Sequence, residues 1–201
     1  MLEHLQRSRQ TVQHLTTCNY GSFRGWVRHL LAQLEWVSGR VDRFLRIDPG
    51  RTQRLVFVCL GNINRSAFAE GVARSHGVRV CSLGLATTTG VPAYVTAVNT
   101  ARRFGIDLSS HGATDFGDFA YQPGDLMLVM EIRHAHRLIA NGIPPDAIVL
   151  LGAWSSPRRL HLHDPALIPE EYFMTCFALI HSAVINLVGD LRSAGSPCTL
   201  P

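Results

Sequence analysis

The chain has no lysine: all 19 basic residues among its 201 are arginine. A lysine nucleophile and a Schiff base are therefore excluded. Cysteine is scarce and odd in number, five without regular spacing, which argues against a disulfide framework. A thiol with a chemical task would need a reducing compartment. No apolar run reaches the roughly 20 residues of a membrane span, and Met1 to Arg7 lack the apolar core of a signal peptide. A cytoplasmic location is expected. Repeats and low-complexity segments are absent. Net charge is only +4, with seven arginines against four acids in residues 1–50 and near balance after them. That is too mild to imply a nucleic-acid partner. With 46% hydrophobic and 17% charged residues, the chain can bury a full globular core.

What is present centres on residues 55–66, Leu-Val-Phe-Val-Cys-Leu-Gly-Asn-Ile-Asn-Arg-Ser. Leu55 to Val58 read as a buried strand, and Ala67 to Arg74 as a helix. Cys59 ends the strand, and a Gly-Asn loop leads to Arg65-Ser66 at the helix start. Helix N-termini favour anions and depress thiol pKa values. A guanidinium adds a planar fork matched to tetrahedral oxyanions. Together these suggest phosphoryl transfer. Cys-x5-Arg spacing alone decides little, because five Cys and 19 Arg give about 0.5 chance pairs at one spacing. Cys18 and Arg24 have the same spacing without a strand before them or a hydroxyl residue after.

Residues 1–16 are polar and helix-compatible. Phe23 to Leu45 read as one amphipathic helix, with Trp26, Leu30, Leu34, Val37, Val41 and Phe44 on the apolar side and Arg24, Arg28, Arg40 and Arg43 opposite. Such a helix packs on its own domain or on a second copy, or lies on a membrane surface. Asp48-Pro49-Gly50 is a turn. It divides an N-terminal helical extension, residues 1–50, from a main domain, residues 51–201. There, strands at 78–82, 126–130 and 147–151 alternate with helices at 93–104, 131–140 and 170–191. Continuous apolar strands alternating with helices predict an α/β fold with a parallel sheet covered on both faces. Ligands of such sheets bind beyond the carboxyl ends of the strands, where Cys59 lies.

Val58 to Ser66 with Ala69-Glu70, then Ser82-Leu83-Gly84, Gly105 to His111, Asp125 to Glu131, Leu150-Leu151-Gly152 and Asp164-Pro165, resemble the low-molecular-weight protein tyrosine phosphatases, in that family's order. The resemblance covers about residues 54–190. It implies a three-layer sandwich with a four-stranded parallel sheet, flavodoxin-like and of the phosphotyrosine phosphatase I type, with N-terminal helices added. It implies Cys59 as nucleophile, Arg65 as phosphate clamp and Asp164 as general acid and base, acting through a phosphocysteine without metal or cofactor. Leu60, Gly61, Asn62, Ile63, Asn64 and Ser66 would bind the substrate phosphate, with Ser82 and His111 supporting the loop. A phosphotyrosine protein, such as a bacterial tyrosine kinase, would be the partner, with membrane contact or self-association through residues 22–46.

Asn64 stands where many members have a second cysteine, so the protective disulfide cannot form. Ala166-Leu167 and the Leu85–Gly90 loop lack the aromatics that often wall the pocket. Ile63 fits the tyrosine branch, since the arginine-phosphate branch has Thr there. Arsenate reductases of this fold need cysteines after the third strand, and Glu131 to Asn141 has none. A phosphate-binding module without turnover would need a broken Cys, Arg or Asp. Cys81 and Cys176 read as inert buried thiols, and His161 and His163 as solvated loop residues.

Overall fold

The structure, a computed structural model, describes residues 14, 16–166, 168 and 170–198. The polar opening segment up to residue 13, Leu167 and Pro169 lie outside it. Strand β1, Arg54–Cys59, is central. β2 (Val80–Gly84), β3 (Asp125–Val129) and β4 (Ile148–Leu150) complete a parallel sheet in the order β2-β1-β3-β4. Helices α1 (Phe23–Val37), α2 (Arg65–Ser75), α3 (Val95–Arg102), α4 (Ile132–Ala140) and α5 (Glu170–Ser193) surround it. The α/β sandwich expected from the alternation is what forms.

Alternation along β1 feeds two cores. Leu55, Phe57 and Cys59 face α2, α3 and α5, where Phe68, Val72, Phe173, Phe177 and Ile180 are buried. Val56 and Val58 face α4, with Met127, Val129, Ala135 and Leu138. The side-chain period of two makes this division, and helices on both faces explain why β1, β3 and β4 are apolar beyond their first residues. α5 is long and apolar enough to cross a membrane by length and composition alone. Its apolar side instead lines the first core, with Phe68 and Phe177 stacked at 4.1 Å.

The expected helix from Phe23 to Leu45 stops at Val37. Gly39 follows in the left-handed region at φ +72°, donating its N–H to the Trp36 carbonyl. Glycine meets no steric penalty there and ends the helix. A single turn, Asp42–Phe44, then carries Val41 and Phe44 into the second core, where both are fully buried. The extension thus completes the layer opposite α5. Along α1, Ala32 is buried, while Phe23, Leu30, Leu34 and Val37 remain exposed. α3 also starts later than expected, at Val95, because Pro92 pairs with Gly112 in an isolated bridge.

Candidate active site

At the carboxyl end of β1, the chain turns through residues 60–64 into α2. Gly84, paired with Cys59 across the sheet, makes room for this loop. A Cβ at Gly84 would come within 3.0 Å of the Leu60 carbonyl oxygen and the Gly61 carbonyl carbon. Cys59 Sγ is buried and accepts the Asn62 N–H at 3.2 Å. Ser66 Oγ lies 3.0 Å from the same sulfur. Asn64, at the helix N-cap, makes no side-chain bond to the first turn, so the α2 amides are not occupied by a cap.

Asn62 holds the loop's shape. Its backbone is left-handed, φ +52°, a conformation that asparagine adopts more readily than most residues. Its side-chain amide donates to Ser66 Oγ at 2.9 Å and Ser82 Oγ at 2.7 Å, and its Oδ1 accepts the Thr114 N–H at 2.8 Å. The Asn62 carbonyl accepts from His111 Nε2 at 2.7 Å, which assigns the proton to that nitrogen. Ser82 in turn donates to Glu70 Oε2 at 2.5 Å. Because the Ser66 oxygen already accepts from Asn62, its own proton is left to point at sulfur. Ser82 and His111, distant in sequence, are thus gathered onto one residue of the loop.

Arg65 is fully buried. One terminal nitrogen donates to Glu131 Oε1 at 2.7 Å and the Leu162 carbonyl at 2.8 Å, the other to Asp164 Oδ2 at 2.7 Å. Its Nε has no partner. Burial works against the charge, but Asp164, Glu131 and Cys59 more than offset it and keep the guanidinium protonated. Burial likewise penalises the Glu131 carboxylate, yet Arg65, His161 and His134 hold its pKa far below the usual range. Asp164 is partly exposed, and its Oδ1 accepts the Ala166 N–H in a tight turn. The structure therefore brings Cys59, Arg65, Ser66 and Asp164 into one continuous cluster. Leu60, Gly61, Ile63 and Asn64 form the loop around it.

Several neighbours escape sequence reasoning. Glu131, the residue two after the end of β3, was legible by position: β3 lies beside β1, so their carboxyl ends meet. Tyr94 offered no signal. It is 43% exposed, its N–H donates to the Ile63 carbonyl at 3.0 Å, and its ring stacks toward Phe173 at 6.2 Å. It supplies an exposed aromatic next to the loop, where the Leu85–Gly90 segment has none. Cys81 and Cys176 have thiol pKa values raised by burial, to about 11 and about 12.

His161 and His163 correct the expectation of solvated loop residues. The His161 side chain is 8% exposed and lies 3.8 Å from Glu131 Oε2. His134, on α4, is buried at 3.8 Å from Glu131 Oε1. The loop folds inward because Leu160 and Leu162 are core residues. Burial lowers His134 to about 3 and His161 to about 4. In the unfolded chain both titrate near 6.5. Between these values the unfolded state holds more protons, so stability is complete above pH 6.5 and falls as pH drops toward 4. Glu131 adds its own loss below its unfolded value, about 4.3. The urea midpoint at pH 5 is expected to lie below that at pH 7, by on the order of a few kcal/mol in stability at unchanged slope. Equal midpoints at the two pH values would contradict this.

Among the described residues, no group of three or more His, Cys, Asp or Glu side chains is placed to hold a metal ion. The sequence profile of the low molecular weight phosphotyrosine protein phosphatases matches residues 54–196. The chain belongs to this family. It is thereby an enzyme of the phosphatase class. A relative from Ralstonia solanacearum, described as a probable low molecular weight protein-tyrosine-phosphatase, EpsP, is 38% identical over 143 residues. Those residues span 70% of this chain and 97% of the relative. The crystal structure of a low molecular weight protein tyrosine phosphatase from T. tengcongensis superposes with a TM-score of 0.63 at 25% identity, covering 69% of this chain and 99% of that one. Vibrio vulnificus Wzb, solved in complex with benzylphosphonate, gives 0.59 at 27% identity, again over 69% and 99%. The phosphatase match begins at β1, so α1 and the turn at Asp42–Phe44 lie outside it.

Proposed function

We propose that this phosphatase hydrolyses phosphotyrosine in proteins, with Cys59 as nucleophile, Arg65 as clamp and Asp164 as general acid and base. One observation carries the reading. A buried thiol that accepts the Asn62 N–H and faces the Ser66 hydroxyl sits beside a buried guanidinium whose Nε lacks a partner and whose fork holds Asp164. The phosphate of the substrate would satisfy that Nε and the loop amides. Cys59 sulfur attacks phosphorus, the S–P bond forms and the bond to the leaving phenolic oxygen breaks. Asp164 gives that oxygen a proton. It then takes one from the water that attacks phosphorus, and the S–P bond breaks to return the thiolate. Charge spread over the equatorial oxygens is met by Arg65 and the fixed N–H groups.

In the resting protein Asp164 is paired with Arg65. A bound phosphate dianion draws Arg65 to itself and sets negative charge beside Asp164. The carboxyl is then free to hand its proton to the leaving oxygen. The Ser66 proton, directed to sulfur, makes the thiolate a better leaving group in the second step. Tyr94 supplies aromatic surface that a substrate ring could meet near Ile63. We assign residues 51–201 as the phosphatase unit and 1–50 as its extension, and place the protein in the cytoplasm acting on a phosphotyrosine protein, a tyrosine kinase being one such substrate.

The test is phosphate release from p-nitrophenyl phosphate and from peptides bearing phosphotyrosine, phosphoserine or phosphoarginine. Phosphotyrosine is expected to exceed phosphoserine by at least about 100-fold in kcat/KM, since a phenolic oxygen is the better leaving group and its ring can meet Tyr94 beside the loop. Release from none of the four would sink the hydrolase reading. Phosphoarginine as the best substrate would move the assignment to the other branch.

A further inference from the structure

The segment ahead of the family match grips the loop that carries Asp164. Arg158 and Arg159 open that loop. The Arg158 guanidinium lies 4.5 Å above the Trp36 ring, and that of Arg159 lies 4.5 Å above the Tyr20 ring and donates to the Asn19 carbonyl. Next to Asp164, His163 Nε2 is 3.4 Å from Ser22 Oγ, the residue that caps α1. Gly25 is buried against the same imidazole. A Cβ there would come within 2.9 Å of His163 Cδ2 and closer still to the Tyr20 carbonyl. Tyr172 on α5 closes the opposite side, its hydroxyl donating to the His163 carbonyl at 3.4 Å. Arg28 extends the contact to Glu131, 3.8 Å away, the carboxylate that holds Arg65.

We infer that residues 19–28 are a positioning element of the catalytic cycle, which fixes the loop from Arg159 to Asp164 so that the carboxyl of Asp164 meets the leaving oxygen. This rests on the assignment of Asp164 as general acid. The physical argument is one of placement. An acid contributes about 10²–10⁴-fold only when held within hydrogen-bond reach of the atom it protonates. Asp164 is partly exposed, and its side chain is fixed by the Ala166 N–H of its own loop and by Arg65, a partner that the substrate phosphate takes away. Once that bond is given up, what keeps the carboxyl in place is the backbone of its loop. That backbone is held from one side by Leu162, whose N–H donates to the Met130 carbonyl at 3.0 Å, and from the other by residues 19–28. Cation–aromatic contacts and the Ser22–His163 contact do not involve the phosphate site, so they persist through the cycle.

Leaving-group dependence separates positioning from folding. The ratio kcat/KM reports only steps up to phosphocysteine formation. Phenyl phosphate, with a basic leaving oxygen, needs the acid far more than p-nitrophenyl phosphate does. Gly25→Ala and Tyr20→Ala in the full chain are expected to lower kcat/KM for phenyl phosphate about tenfold, a fraction of the whole contribution of an acid, and that for p-nitrophenyl phosphate less than about twofold. Tyr20→Phe, which keeps the ring face under Arg159, is expected to retain wild-type values for both. Should Gly25→Ala fail to fold, the two Tyr20 variants carry the test alone. Variants that keep the wild-type ratio between the two substrates would overturn the positioning role. Equal losses on both would overturn it as well, since general damage moves both together. A wild-type chain that turns over neither ester would overturn the hydrolase assignment, and this inference with it.

Discussion

Cys59→Ser is expected to fold normally and to release no measurable phosphate from p-nitrophenyl phosphate, a loss of about 10⁴-fold or more. The side chain is buried and the exchange nearly isosteric, so the melting temperature should shift by only a few degrees. Chemistry makes the difference. The Asn62 N–H and the Ser66 hydroxyl are arranged around the sulfur, the proposed nucleophile. A serine hydroxyl would need a base to lose its proton, and Asp164 is bound to Arg65 and proposed for the acid step. The variant should still bind inorganic phosphate, read as a rise in melting temperature with added ligand. Cys18→Ser is the matched control. It has the same spacing to an arginine, lacks the strand and loop, and should leave turnover unchanged. Residual activity of Cys59→Ser above about one per cent would show that another group attacks phosphorus.

Glu131→Ala is expected to cost about 3–5 kcal/mol, because it strands a fully buried guanidinium. Arg65 would keep the Leu162 carbonyl and Asp164, but Asp164 is partly open to water and screens less effectively than a buried carboxylate. For a chain of this size the loss corresponds to roughly 6–20 °C in melting temperature. His134 and His161 would lose the carboxylate near them too, which further favours their neutral forms. Glu131→Gln retains an acceptor at Oε1 and should fall between the two. A thermal melt of all three proteins decides the matter: an alanine variant within about 1 kcal/mol of wild type would mean that Arg65 does not depend on Glu131.

The sheet was legible because β1, β3 and β4 are apolar runs with a turn after each, polar residues standing only at the first positions of β1 and β3. The loop from Cys59 to Ser66 was legible for a different reason: strand, Gly-Asn turn, Arg-Ser and helix follow one another without interruption. Elsewhere the period misled. Val41 and Phe44 continue the helical spacing of α1, yet Gly39 breaks the helix and the two side chains enter the core from a single turn. His161 and His163 sit among prolines and polar residues, the composition of a surface loop. They are drawn partly out of solvent because Leu160 and Leu162 pull that loop inward, and hydrophobic alternation over four residues is easily overlooked. Glu131 could be placed at the end of a strand, but its partner, 66 residues earlier, could not be named from spacing. Tyr94 touches the site through its backbone, a contact that no residue type announces.

The bonds around Asn62 do not depend on any ligand. Glu70, Ser82, Ser66, Thr114 and His111 hold the loop in its left-handed turn through contacts made entirely within the protein. An anion arriving there has no chain to order, and so loses little affinity to entropy. The same economy applies to every tetrahedral anion, whether or not a phenol is attached. Inorganic phosphate, the product, would fill the cradle as readily as the phosphoryl group of a substrate, and turnover would slow as phosphate accumulates. Discrimination among esters must then arise outside the loop, where Tyr94 borders it.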